Sequence, residues 1–153
     1  MERAASFKKV LSTAYAFLAR RSQGTKELEK KLLDKGFETG LVKNIIEVLL
    51  KRGLLDDYEV AYRWAQSRIR DRLWGSAKVY GFLREKGIDG DVIARVQEEV
   101  WETFNEFDIA QKALAKRFSE GRRPSQQKIL SFLKSRGFSA SLIYRLVNSD
   151  EEN

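Results

Sequence analysis

The sequence contains no cysteine and no histidine. Disulfides, Cys- or His-ligated zinc, thiol nucleophiles and histidine acid–base chemistry are therefore excluded together. No phosphate-cradling GxxxxGK[ST] loop occurs. There is one proline in 153 residues. No apolar run approaches the roughly 18 residues that a membrane span needs. These absences favour a protein without a cofactor, a metal site or catalytic machinery.

What remains is helix-forming. Ala, Leu, Lys, Glu and Arg dominate, and an all-α fold is expected. The opening MERAASFKKVLSTAYAFLARR is charged and amphipathic, without the long apolar core of a cleavable signal. A mitochondrial presequence has a similar look. These residues also supply a helix to the repeat described next, so they are read as part of the folded protein. The net charge is +7, which favours an acidic or polyanionic partner.

Aligning the chain on Gly36, Gly87 and Gly137, spaced 51 and 50 residues apart, exposes an internal repeat. Lys35, Lys86 and Arg136 precede these glycines, and Phe37, Ile88 and Phe138 follow them. Leu32, Leu83 and Leu133 lie four residues back; Leu28, Val79 and Ile129 lie eight back. Val42, Ile93 and Ile143 lie six on; Ile45, Val96 and Leu146 lie nine on. Both sets share a helical face. Each glycine suits the left-handed residue just past a helix end, with the apolar residue after it folding back as a cap contact. Thr39, Asp89 and Ser139 are expected to cap the helix that follows.

An earlier helix completes each unit: AYAFLARR (14–21), AYRWAQSR (61–68) and AQKALAKR (110–117). Ala14, Ala61 and Ala110 align, as do Arg21, Arg68 and Arg117. The expected fold is all-α, with three tandem three-helix repeats, about nine helices, in an elongated, curved array. The repeats are placed at 1–55, 56–106 and 107–148, with a disordered tail at 149–153. Gly53 closes the first repeat, and Asp56 and Asp57 open the second as helix caps. Read as a carboxylate pair, they would suit acid–base or metal chemistry; capping is preferred. A break is expected at Asn105–Asp108, with one long bent helix as the alternative.

Charge is segregated. Residues 87–108 carry a net −6, residues 63–86 a net +5 and residues 112–136 a net +7. Basic residues gather at the end of each first helix and in the loop after it. The candidate binding residues are Arg20, Arg21, Arg68, Arg70, Arg72, Trp74, Lys78, Lys116, Arg117, Arg122 and Arg123. Stacked repeats would align these loops into a basic stripe. The plainer reading is three helix ends whose cations complement the dipole. Trp74 is open to two readings, a stacking platform or a side chain folded back between Ile69 and Val79. Trp64, beside Ala61 and Ala65, is expected in the core, and Trp101, in the acidic helix, is expected to be a packing residue.

Three segments in order resemble a known family. LARRSQGTKELEKKLLDKGF resembles its Leu-x-x-Arg-x-x-Ser/Thr-x-x-Glu-Leu-x-x-Lys-Leu-x-x-Lys-Gly-Phe opening. RGLLDDYEVAYRWAQSRIR resembles its Gly-Tyr/Leu-Leu-Asp-Asp segment with a downstream Ala-x-x-Trp/Phe and Arg. WGSAKVYGFLREKGID resembles its Gly-Pro-x-Arg-Ile-x-x-Glu-Leu-x-x-Lys-Gly-Ile, with Ser76, Lys78 and Phe82 where the family has Pro, Arg and Glu. The family is RecX, the regulators of the bacterial recombinase RecA, and the resemblance spans about residues 8–148.

The resemblance implies a cytoplasmic, cofactor-free modulator rather than an enzyme. Its partner would be RecA, chiefly as the filament on single-stranded DNA, with direct non-specific DNA contact open. A monomer is expected, with no membrane association. Two other readings stay open: a stand-alone helical nucleic-acid binder, and a helical adaptor for a peptide.

Overall fold

A computed structural model describes residues 2–21, 23–119, 121 and 123–151. Nine α-helices and no strands are found among them. They are α1 (Glu2–Arg20), α2 (Thr25–Asp34), α3 (Thr39–Lys51), α4 (Asp57–Arg72), α5 (Ser76–Glu85), α6 (Gly90–Thr103), α7 (Glu106–Arg117), α8 (Gln126–Ser135) and α9 (Ala140–Glu151). Close helix packing runs within α1–α3, α4–α6 and α7–α9. The accessible surface is 10028 Å². A compact chain of this mass would expose about 7,900 Å², so the array is extended.

The repeat positions form the interior. Leu32, Leu83 and Leu133 are fully buried, as are Ala14, Ala61 and Ala110. The alanines let the first helix of each repeat approach its neighbours closely. The buried residues of repeat 1 form one core, from Val10 to Leu55. Those of repeats 2 and 3 form a single continuous second core, from Ala61 to Val147.

Helix ends differ in detail from the sequence expectation. Gly87 and Gly137 turn at φ +85° and +94°. The residues after them bond back, Ile88 N–H to Leu83 O (3.0 Å) and Phe138 N–H to Leu133 O (3.1 Å). This closes each α-helix with the reversal that left-handed glycine permits. Ser139 Oγ accepts from Leu142 N–H (3.1 Å) and caps α9. Thr39, by contrast, is the first residue inside α3, after Glu38, which makes no side-chain cap. Asp89 stands at the cap of α6 without capping it; its carboxylate faces Lys26 Nζ (3.5 Å). Between repeats 2 and 3 the chain breaks at Phe104, and Asn105 Oδ1 accepts from Asp108 N–H (3.0 Å).

One further difference has a local cause. α9 continues through Glu151, into the segment expected to be disordered. No Gly or Pro interrupts it, and Ser149 Oγ donates to Leu146 O (3.0 Å). Leu73 ends α4 in the left-handed region (φ 55°, ψ 47°) without a glycine to ease it.

Candidate functional site

The joints between repeats position the basic side chains. At the second joint, Gly75 N–H donates to Arg136 O (2.7 Å) and Ala77 N–H to Gly137 O (3.0 Å). Arg136 Nη1 donates to Arg72 O (2.9 Å). This lays the end of α4 against the α8–α9 turn. A cleft of about 380 Å³ opens there, lined by Asp71, Arg72, Leu73, Ala113, Lys116, Arg117, Phe132 and Arg136. Four of these are cations and one is an acid. That acid, Asp71, already faces Arg70 Nε (3.3 Å). The cleft thus offers concentrated positive charge over an apolar floor, suited to a polyanion or an acidic segment.

Beside it stands a cluster of rings and cations on α4, α5 and the residues that flank α5. Trp74 and Trp64 each pack edge-on against Phe82, with centroids 5.6 and 6.1 Å apart. The Arg68 guanidinium lies 4.7 Å from the Phe82 centroid and 5.8 Å from that of Trp74. Lys78 Nζ sits 5.0 Å over Trp74. Lys86 Nζ sits 5.7 Å over Trp64. Such contacts hold a cation in place without neutralising it. Trp74 is half-buried, folded onto the Phe82 edge. Trp64 is half-buried, packed against the core of repeats 2 and 3, with its ring tip beside Gly24 of repeat 1.

These parts are contiguous. Lys86 borders a hollow between repeats 1 and 2 that holds Arg21, Lys26, Lys30 and Lys31 together with the acids Glu27, Asp34 and Glu85. From Lys86 the path runs over Phe82 to Arg68, Trp74 and Lys78. The backbone of Lys78 packs on Gly137, next to Arg136 and the cleft. Cations therefore line both joints, interspersed at the first with Glu27, Asp34 and Glu85.

The sequence-selected residues divide among these parts. Arg72, Lys116 and Arg117 meet in the cleft. Arg68, Trp74 and Lys78 meet in the ring cluster. Arg70 is exposed against Asp71. Arg20 is exposed at the end of α1. Arg21 binds Glu27 Oε1 (2.6 Å) and fastens the α1–α2 loop. Arg123 lies elsewhere, beside Gln111, Phe118 and Pro124. Arg122 lies outside the described residues. Arg136, Lys86 and Phe82 were not selected. Both cations sit just before their repeat's glycine and read as helix-end complements to the dipole. Phe82 reads as one more apolar repeat residue.

The paired acids of the second repeat both cap. Asp56 Oδ1 accepts from Glu59 N–H (3.1 Å) at the start of its own helix. Asp57 Oδ1 instead accepts from the N–H and Oγ1 of Thr25, in the repeat before. Among the described residues no group of acids is arranged to hold a metal ion. No helix among them is long and apolar enough to cross a membrane.

Comparison with known proteins agrees with this architecture. The family model for the second three-helix domain of RecX matches residues 56–96. A regulatory protein RecX from Halorhodospira halophila is 30% identical across 99% of this chain and 94% of its own. One from Vibrio parahaemolyticus is 31% identical across 91% and 90%. One from Pelodictyon phaeoclathratiforme is 30% identical across 84% and 80%. The crystal structure of RecX from Lactobacillus salivarius superposes with a TM-score of 0.81 at 23% identity, over 98% of this chain and 99% of that one. Another RecX crystal structure gives a TM-score of 0.82 over 96% and 74%. With the repeat, the helix order and relatives matched over nearly their whole length, the chain belongs to the RecX family of regulatory proteins.

Proposed function

We propose that this chain binds the recombinase RecA, chiefly as its filament on single-stranded DNA, and limits filament extension. Strand exchange, ATP hydrolysis and co-protease activity would fall as a result. Membership of a regulatory family supports the class of activity. The observation that carries the reading is the cleft at the second joint, where Arg72, Lys116, Arg117 and Arg136 gather around one acid, with further cations at the first joint. An extended array bearing such a cleft can lie along a helical filament and meet an acidic protein face or the DNA backbone. Surface charge of this kind speeds encounter and makes binding depend on salt. The protein acts by occupancy and carries out no chemistry of its own.

The test is ATP hydrolysis by the cognate RecA on excess single-stranded DNA, with this protein titrated in. Inhibition that added DNA does not relieve is expected. Below one molecule per RecA it indicates end capping; near equal amounts it indicates groove coating. Relief by added DNA would replace this reading with simple competition for DNA, and no effect at any ratio would remove it. The triple variant R72E/K116E/R117E should lose inhibition while keeping its helical circular dichroism, since all three side chains are exposed. Undiminished inhibition by that variant would remove the cleft from the interface.

A further inference from the structure

The two joints are built from equivalent parts but are not equally firm. In each, the start of a repeat's second helix docks on the next repeat. Thr25 of α2 meets Asp57, through N–H to Oδ1 (2.7 Å) and Oγ1 to Oδ1 (2.9 Å). Ser76 of α5 meets Glu106, through N–H to Oε1 (2.9 Å). Thus the acid that opens one repeat's first helix caps the previous repeat's second helix. The helix N-terminus gains an anion, and an orphan N–H gains an acceptor.

Beyond this shared bond the joints diverge. The second joint adds the two backbone bonds from Gly75 and Ala77 and the Arg136 bond to Arg72 O. Main chain touches main chain there: a Cβ on Gly75 would lie 2.6 Å from the carbonyl carbon of Gly137. One hydrophobic core runs unbroken through it. At the first joint the close contacts are with side chains rather than main chain: a Cβ on Gly24 would meet Ile88 Cδ1 and Trp64 Cη2 at 3.6 Å and Asp57 Oδ1 at 3.9 Å, and one on Gly87 would meet the Lys26 side chain at 2.9 Å. Its ion pair, Lys26 to Asp89, is well exposed on both sides and so contributes little. The cores of repeats 1 and 2 are separate. Hollows of about 450 and 210 Å³ flank this joint, one lined by Lys26, Lys30 and Lys86, the other by Leu18, Leu54 and Arg63.

We infer that the first joint is a hinge latched by Asp57 on Thr25, and that repeats 2 and 3 move as one body. Repeat 1 is then an arm that swings Arg20 and Arg21 relative to the basic cleft. Interfaces with few buried apolar contacts open at low free energy, whereas a continuous core opens only with the fold. The hinge belongs to the free chain and holds whatever partner is bound.

The absence of cysteine makes the test direct. Spin labels are placed at exposed helix positions, K43C with E98C across the first joint and E98C with K134C across the second. Distances are read by pulsed electron resonance on the full chain. The first-joint distribution should be about twofold broader than the second. D57A should broaden the first further and leave the second unchanged; D57N, which keeps an uncharged acceptor oxygen, should fall between. Equal widths in the otherwise unaltered chain would overturn the hinge, and that comparison needs no change at Asp57. A first-joint distribution indifferent to D57A would overturn the latch.

Discussion

At residue 137 even one added carbon has nowhere to go. A Cβ there would lie 2.4 Å from the Lys78 nitrogen and 2.5 Å from Lys78 Cβ, on a backbone at φ +94°. Left-handed strain and a backbone clash then act together. Gly137→Ala should destabilise the protein by about 2–4 kcal/mol, since strain alone costs 1–3. Gly36 shares the left-handed φ, +91°, but has open space around it. Gly36→Ala should cost only the conformational term, about 1–2 kcal/mol. Gly81 lies inside α5 with ordinary helical backbone and open space. Gly81→Ala should stabilise by about 0.5–1 kcal/mol, because glycine loses more entropy in a helix than alanine. Urea unfolding, read separately for the helices around each substituted glycine, gives the order. A Gly137→Ala chain as stable as Gly36→Ala would mean that α5 does not press on the α8–α9 turn.

Element by element, the caps separate acids that work locally from acids that work elsewhere. Asp56 and Asn105 each accept a bond from the third residue on in their own helices. Asp56→Ala and Asn105→Ala should each cost about 1 kcal/mol. Asp89 occupies the same formal position in α6 without that bond, so Asp89→Ala should change stability by less than about 0.5 kcal/mol. Thermal unfolding checks this, and a large drop for Asp89→Ala would refute it. The helices were legible because their signals are local: leucines four residues before a glycine, and apolar residues six and nine after it, mark two helices and a reversal. The sharing of Asp57 was not legible. Its partner Thr25 lies 32 residues away, and the acid looks like any other in a first helical turn. Arg136 escaped selection for a related reason. In the text it matches Lys35 and Lys86, and only the docked α4 end shows its guanidinium reaching Arg72 O. A pattern of spacings reveals which residues repeat; it does not reveal which repeats share a surface.

For the whole molecule, the division of the interior matters more than the count of repeats. Cooperativity in a repeat array follows shared apolar contact between neighbours. Here that contact is continuous from Ala61 to Val147 and interrupted before it. The three units should therefore unfold as two blocks, α1–α3 and α4–α9. Leu32 and Leu83 hold equivalent, fully buried places in the two cores. Replacing either by alanine removes about 2–5 kcal/mol of burial from its block. Hydrogen exchange read segment by segment should then show Leu32→Ala accelerating α1–α3 alone. Leu83→Ala should accelerate α4–α9 together, including α8 and α9, which it does not adjoin in sequence. Acceleration confined to α4–α6 would show that the second core is two cores in contact. Acceleration of every helix by either change would show one cooperative unit, with repeat 1 bound to the rest more tightly than its few joint contacts suggest.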